Sequence, residues 1–598
     1  MFQNFEEKAD SSQVATHVGL LRQTFEAMDI DAFLVPRADV HRGEAVPERD
    51  ARLAWLTGFT GSAGMAIVAH YKAALFVDGR YILQAPAQTD TAFFDVVEVP
   101  PGSSADWIKE NLPASCNIGF DPWLHTPGEI SALREKLDGH AKLTPVENPV
   151  DQVWIGRPDA PSSPIEFLGH NRSGKTASEK LADLEETLAA AHADSVVLTL
   201  PESICWLFNM RGHDVPNTPF VLGFAIVPLI GKPQLFLPAD KLTEETSVAL
   251  GAIADLAPYE GFEDALKHLG SAKQKVWIDP ASAPEAVSQT LTDAGATLIK
   301  KTDPVLAPKA RKNEAELAGM REAHLLDGVA MAKFLVWFDG EAPKGKLTEI
   351  DIARQLEEFR REDNTLVDIS FDTISGAGPN GAVIHYRVTE NTNRTLNSGE
   401  LMLVDSGGQY LSGTTDITRT LFTGSASDEM KDRYTRVLKG MIAISEARFP
   451  KGTTGAQIDI LARQALWQVG LNYGHGTGHG VGAFLSVHEG PVGISPRYTV
   501  PFEPGHIISN EPGFYKAGAY GIRIENLVNV IDSPGHEGYL EFETLTLAPI
   551  ETRLIAMDLL TTEERDWLNA YHARVLDDIG PKVSGDVKDW LERVTRGI

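Results

Sequence analysis

The chain is 598 residues long, 43% hydrophobic and 23% charged, with a formal net charge of −29. That length holds about four domains of ~150 residues, the composition is that of a soluble globular chain, and the negative field opposes nucleic acid and anionic membrane surfaces as partners. Only Cys116 and Cys205 occur, which leaves no disulfide framework and agrees with a reducing compartment.

The opening Met-Phe-Gln-Asn-Phe-Glu-Glu-Lys lacks the basic start and apolar stretch of a secretion signal. The longest strongly apolar run, Phe220 to Ile230, falls short of the ~20 residues that cross a bilayer. A cytoplasmic protein is the expectation.

In chain order, residues 1–150 alternate helical and strand-like patterns. Ala32–Val35 and Ala73–Val77 are short apolar runs of buried-strand type, the second closed by Asp78-Gly79. The Pro-rich stretch RPDAPSSP within 151–165 predicts a linker. A second unit echoes the first. Asp31-Ala-Phe-Leu-Val-Pro36 and Trp55-Leu-Thr-Gly58 recur loosely as Asp194-Ser-Val-Val-Leu-Thr-Leu-Pro201 and Trp206-Leu-Phe-Asn209, which predicts two domains of one α/β type.

DPVLAPKARKN at 303–313 reads as a hinge ahead of a long helix, with Glu314 and Glu316 in its first turns and Leu325, Val329, Ala332 and Val336 at helical spacing. In the tail, Thr561-Thr-Glu-Glu564 is a capping box, Leu568, Tyr571, Val575 and Ile579 form a stripe, and Gly580-Pro581 stops the helix. The tail is expected to dock as an accessory element.

Between helix and tail lie Asp405, Asp416, His479, Glu511 and Glu525. Four carboxylates and an imidazole crowd together only if protons or cations neutralise them. Two divalent ions bridged by water suit that inventory better than one. Asp405 ends the apolar run Glu400–Asp405, and the odd separation of 11 residues to Asp416 predicts the two acids opposite each other on neighbouring antiparallel strands. In Gly474-His-Gly-Thr-Gly-His-Gly-Val-Gly482 the glycines argue against a helix, so His475 and His479 are no HExxH pair. Glu511 precedes a Pro-Gly turn. Gly521 to Val530 alternates like one strand, with Arg523 and Glu525 on one face. Oxygen-rich ligation with one nitrogen suits Mn²⁺ or Co²⁺ more than a structural Zn²⁺. Two ions ~3.5–4 Å apart would sharpen a bridging water into hydroxide and stabilise charge on the attacked carbonyl.

These positions, with GHGTGHGVG, NEPG and IRIEN, resemble the pita-bread metallopeptidases, and among them the three-domain cytosolic Xaa-Pro aminopeptidases (aminopeptidase P). The likeness runs along nearly the whole chain, through Leu53–Gly64, Asp78-Gly-Arg-Tyr81, KARKNEAELAGMREAHLLDG at 309–328 and Phe542–Ile550. It implies an α/β (α+β) fold: creatinase-like domains at 1–150 and 160–308, a pita-bread catalytic domain at 312–533 and a C-terminal accessory region at 537–598. It also implies roles. Asp405 would chelate one ion, His479 and Glu511 the other, with Asp416 and Glu525 bridging and Glu511 shuttling the proton. His385 and His488 would hold the scissile carbonyl and the groups on the proline side, and His475 would line the proline pocket. Arg523 counts with these histidines among the substrate-binding residues. The resemblance further implies Mn²⁺ ahead of Co²⁺ or Zn²⁺, peptides with proline in second position as substrates, and a homodimer.

Without the family, His385 and His488 read as ordinary core histidines. The rival readings are a proline dipeptidase of the same fold and a metal-free binding module on this scaffold. Thr60-Gly-Ser-Ala-Gly64 misses the serine-hydrolase elbow by its first Gly, and Gly376–Gly381 lacks the Lys-Ser/Thr of a phosphate loop.

Overall fold

A computed structural model describes residues 1–100 and 102–598. The chain forms two compact units, Lys8–Leu306 and Met1–Glu7 with Ala307–Ile598.

The Lys8–Leu306 unit contains two six-stranded sheets. The first comprises β1 (Ala32–Pro36), β2 (Met65–Ala69), β3 (Ala73–Val77), β4 (Asp95–Glu98), β5 (Cys116–Phe120) and β6 (Ala141–Pro145), in the order β4-β3-β2-β1-β5-β6. The second comprises β7 (Ser195–Leu198), β8 (Phe224–Pro228), β9 (Gln234–Leu237), β10 (Asp255–Pro258), β11 (Lys275–Ile278) and β12 (Thr297–Lys300), in the order β10-β9-β8-β7-β11-β12. Directions match strand for strand: β1 and β7 each run antiparallel to the following strand of their sheet and parallel to β5 or β11. The echo in sequence is therefore a repeat in space. Its recurring Asp has a common use, because Asp31 Oδ2 accepts from Asn117 N and Asp194 Oδ2 from Lys275 N, both at 2.7 Å. All five positions of β1 and of β3 are buried, as a central strand covered on both faces requires.

The other unit opens on α1 (Glu314–Glu341), 28 residues long, whose N-cap Asn313 accepts from Ala315 N and Glu316 N in a capping box. The expected stripe is only part of its buried surface. Leu325, Val329 and Val336 are half-buried, while Met320, Ala323, Phe334 and Phe338 lie deeper. The helix is covered on several sides: Arg360, ending α2 (Glu349–Arg360), pairs with Asp327 at 2.7 Å, and Trp590 donates to Asp339 at 2.8 Å.

The later part of the expected hinge is anchored within its own unit. Lys309 Nζ lies 2.8 Å from Glu489 Oε2, and Lys312 Nζ bonds Glu489 Oε1, with all three side chains buried. Two ammonium groups tolerate burial only against a carboxylate, so this segment is pinned.

Short strands follow: β13 (Leu366–Ile369), β14 (Ile374–Ala377), β15 (Leu401–Ser406), β16 (Gly408–Tyr410), β17 (Gly413–Thr414) and β18 (Ile417–Phe422), in sheets β13-β16-β17 and β14-β15-β18. After the helices α3 (Asp428–Ser445) and α4 (Gly455–Trp467), a six-stranded sheet collects β19 (Phe449–Pro450), β20 (Gly478–Gly480), β21 (Glu489–Ile494), β22 (Ile507–Asn510), β25 (Asn526–Asp532) and β26 (Tyr539–Thr544) in the order β19-β26-β25-β22-β20-β21, and β23 (Gly513–Lys516) with β24 (Tyr520–Arg523) forms a hairpin.

Two expectations of register are corrected here. Asp405 on β15 faces Thr418, not Asp416. The intervening residues leave the β15–β18 ladder to form β16 and β17 in another sheet, which moves the register by two. Gly521 to Val530 is two strands, because β24 pairs with β23 and β25 with β22, and the chain changes sheets at Ile524-Glu525.

The tail forms α5 (Thr562–Ile579), capped as expected by Thr561 and Glu564, and α6 (Gly585–Val594). It is more than an accessory. Leu568, Tyr571, Val575 and Ile579 share one core with Phe334, Met402 and Ile417, and Tyr571 OH donates to Ala548 O at 2.8 Å.

Candidate metal centre

The four acids and the imidazole arrive on different elements. Asp405 sits near the end of β15, Asp416 just before β18, His479 in β20, Glu511 directly after β22, and Glu525 in the sheet change between β24 and β25. Acids at strand ends and breaks have backbones no ladder fully constrains, so their side chains can turn to a common point.

They do turn. One ligand atom each from Asp416, His479 and Glu525 lie within 4.8 Å of one another. His479 Nε2 is 3.5 Å from both Asp416 Oδ2 and Glu511 Oε1. Its Nδ1 faces Gly480 O at 2.9 Å, which places a proton on Nδ1 and turns Nε2 toward the acids. Asp405 joins through Arg523, whose Nη2 lies 2.5 Å from Asp405 Oδ2.

The donor set fits divalent cations. Asp405 Oδ1 and Asp416 Oδ1 are buried without a hydrogen-bond partner, an expensive state unless something positive meets them. Burial, then repulsion from Asp416, Asp405 and Glu511, lifts the Glu525 carboxyl far above the usual range. Asp405 rises to about 6 through burial, with Arg523 opposing. Burial also raises Glu511, against the charges of His479 and Arg523. Desolvation works against a charged His479, yet its bond to Asp416 and the Glu511 charge raise it to about 9. Such crowding is resolved by protons or by cations, and carboxylate-rich ligation with one imidazole suits hard or borderline ions.

The four other candidates divide. Arg523 is buried at the centre and pairs with Asp405 rather than with Glu525 as its same-face neighbour, since Glu525 Oε2 accepts from Thr418 Oγ1 at 2.7 Å. The His488 ring stands 4.3 Å from the His479 ring at 82°. His475 Nδ1 meets Gly476 O at 2.7 Å and its Nε2 meets Tyr515 OH at 2.8 Å. Beside His385, Ile384 O accepts from Arg523 Nη2 at 3.3 Å.

Sequence reasoning missed three supports. Tyr515 OH accepts from Arg523 Nη1 at 2.6 Å and reaches His475, joining the histidine to Asp405 through three bonds. Thr418 donates to Glu525 and accepts from Arg523 Nε at 3.2 Å. On α4, Asp459 accepts from Thr477 Oγ1 at 2.6 Å while Arg463 donates to His475 O at 2.8 Å, clamping the Gly-rich motif. The only signal for that clamp was an Asp-Arg pair at i, i+4, which most helices use as a surface ion pair.

The glycines beside His479 serve the neighbouring backbone. A Cβ on Gly478 would run into the Ser509 carbonyl, and one on Gly480 into the Glu489 carbonyl, so β20 fits between its neighbours only without side chains there.

Residues 318–532 match metallopeptidase family M24, residues 538–598 the C-terminal region of peptidase M24, and residues 18–153 and 156–316 the creatinase/prolidase N-terminal domain. A probable Xaa-Pro aminopeptidase P of Aspergillus fumigatus is 40% identical over 99% of this chain and 94% of its own. Aminopeptidase P2 of Arabidopsis thaliana is 39% identical over 95% of this chain and 86% of its own. The crystal structure of an X-prolyl aminopeptidase from Caenorhabditis elegans, described as a cytosolic enzyme with a dinuclear active site, superposes with a TM-score of 0.94 at 33% identity, covering 98% of this chain and 100% of that one.

Proposed function

This chain belongs to the metallopeptidase family M24 and, within it, to the Xaa-Pro aminopeptidases P, and we propose that it releases the N-terminal residue from peptides whose second residue is proline. The observation that carries the reading is the meeting of Asp416, His479 and Glu525 within 4.8 Å, with Glu511 3.5 Å from His479. Asp405, Asp416, His479, Glu511 and Glu525 would hold two divalent ions, and such ions acidify water and polarise a carbonyl. Donor chemistry suits Mn²⁺ or Co²⁺, and the family resemblance puts Mn²⁺ first.

The residues have separate tasks. An Xaa-Pro bond is a tertiary amide with no N–H, so its leaving group is a secondary amine that needs a proton as the bond breaks. Glu511, whose proton affinity is raised by burial, takes the proton of the attacking water and passes it to the proline nitrogen. His488, stacked edge-on to His479, and His385 orient the scissile carbonyl. His475, held by Tyr515, lines the proline side. Arg523 holds Asp405 and, through Tyr515, the proline-side wall. In this reading the chemistry belongs to residues 312–533, and 537–598 completes the core.

The protein is further proposed to act as a homodimer in the cytoplasm. The placement is supported by likeness to the cytosolic Caenorhabditis elegans enzyme; no helix among the described residues is long and apolar enough to cross a membrane. The dimer is what the family resemblance implies; sedimentation velocity tests it.

The deciding experiment is metal-dependent turnover of an Xaa-Pro-Yaa series by wild type and Glu511→Ala. Turnover that needs metal and drops in the variant by about 10²–10⁴-fold agrees; full turnover in the variant removes the shuttle. Cleavage of Xaa-Pro dipeptides alone would make the protein a proline dipeptidase.

A further inference from the structure

The segment carrying His385 has little ladder of its own. After β14 it passes through a 3-10 turn at Gly378–Ala382 and runs irregularly to Arg394. Two groups from elsewhere in the same unit hold it. One is Glu349, fully buried at the start of α2, whose carboxylate accepts from Ala377 N (2.7 Å), Asn380 Nδ2 (2.9 Å), Tyr386 OH (3.0 Å) and Arg394 N (3.2 Å).

The other is the chain's opening residues. Phe5 O accepts from Glu390 N at 2.8 Å. Glu6 O and Asn4 O accept from Arg387 Nη1 and Nη2 at 2.9 and 3.0 Å, across 381 and 383 residues of sequence. Glu7 Oε2 accepts from Thr389 Oγ1 at 3.0 Å. Gln3 exchanges two bonds with the Thr373 backbone, at 3.0 and 3.3 Å, and Phe2 N donates to Glu357 at 2.7 Å. The Phe5 ring, 4% exposed, packs with Ile374, Tyr386 and Val388.

Burial alternates through the segment: Ile384, Tyr386 and Val388 are buried, His385 and Arg387 half-buried. Seating Tyr386 and Val388 on Phe5 therefore sets the direction His385 takes. Ile384 O meanwhile touches Arg523, which holds Asp405. A side chain that must meet a substrate within a fraction of an ångström needs such backing.

We propose that Phe2–Glu7 is a strap of positioning residues, seated by Phe5, that sets the reach of His385 toward the substrate carbonyl; this rests on the peptidase reading above. The strap bonds none of the five metal-centre residues, so its loss falls on substrate and not on metal.

The test compares full-length wild type, Phe5→Ala and Phe5→Leu for kcat, KM on an Xaa-Pro-Yaa series, bound Mn²⁺ and Tm. A misplaced orienting group costs about tenfold or more, so KM rises about tenfold in Phe5→Ala at unchanged metal content, and Phe5→Leu restores most of it. Should Phe5→Ala not fold, Arg387→Lys keeps a charge opposite Asp372, 2.7 Å from the native guanidinium, while losing the fork to Asn4 and Glu6. It shifts KM in the same direction by about threefold, a loss of the size of one hydrogen bond. An unchanged KM, or activity lost in step with bound metal, overturns the strap. A wild type inert toward the whole series overturns the peptidase reading instead.

Discussion

Arg523 decides which oxygen of Asp405 is available to a cation. Its Nη2 occupies Asp405 Oδ2 at 2.5 Å, and Oδ1 is left buried without a partner. The guanidinium is itself fixed by Tyr515 OH at 2.6 Å, Thr418 Oγ1 at 3.2 Å and Ile384 O at 3.3 Å. A planar fork with several donors makes these bonds at once; an ammonium cannot.

Arg523→Met therefore frees Asp405 to rotate and removes the charge that opposes its protonation. Outer-sphere partners of a metal ligand are worth about 10–100-fold in metal affinity. Calorimetric titration of chelated protein with Mn²⁺ should show a loss of that size, and Arg523→Lys should recover little of it. Unchanged affinity would sink the argument.

The same crowding gives a pH signature. In metal-free protein, burial and like charge hold Asp405 at about 6 and Glu525 far higher. A carboxyl whose folded pKa exceeds its unfolded value near 4 contributes stability that is complete below that value and lost as pH rises through the folded one. His479, raised to about 9, has the same sign: its contribution is complete below about 6.5 and lost as pH climbs through 9. Metal binding requires ionised carboxylates and a neutral imidazole, so it gains over the same interval. The gap in Tm between Mn²⁺-loaded and chelated protein should widen from pH 4 to 9. A constant gap contradicts this.

Glu489 holds two buried ammonium groups, those of Lys309 and Lys312. Glu489→Gln removes the carboxylate with which both pair, and breaking a buried pair by removing one partner costs about 3–5 kcal/mol. Denaturant unfolding should show a loss of that order, and adding Lys309→Met should return part of it. A single-variant loss below about 1 kcal/mol, the worth of an exposed pair, would mean the cluster is hydrated.

Gly478→Ala tests the fit of β20. Its Cβ would strike the Ser509 carbonyl, a backbone atom with no rotamer to yield, so β20 must shift and carry His479 with it. Overpacking of this kind costs about 1–3 kcal/mol, and here it should also weaken Mn²⁺ binding. Gly470→Ala is a control for residue type alone, since nothing lies within 4 Å of its added Cβ, although its φ of 73° carries ordinary left-handed strain.

Much of this protein was legible in its residues because the information was local. The capping box at Thr561, the runs forming β1 and β3, and the repeat of an Asp before each first central strand depend on neighbours a few positions away. So did the choice of Asp416, His479 and Glu525, which the fold brings within 4.8 Å of one another, because acids at the ends of apolar runs need neutralising wherever they meet.

Tertiary structure decided what depends on distant partners. The register of Asp405 against Thr418 followed from residues 408–410 and 413–414 joining another sheet. The Lys309 and Lys312 segment became an anchor only because Glu489 waited 177 residues away from Lys312. The strap at Phe5 and the bond between Tyr515 and Arg523 left no period or spacing to read. Periodicity reports the solvent side of an element, whereas a hydrogen bond between side chains is specified by where two elements happen to be packed.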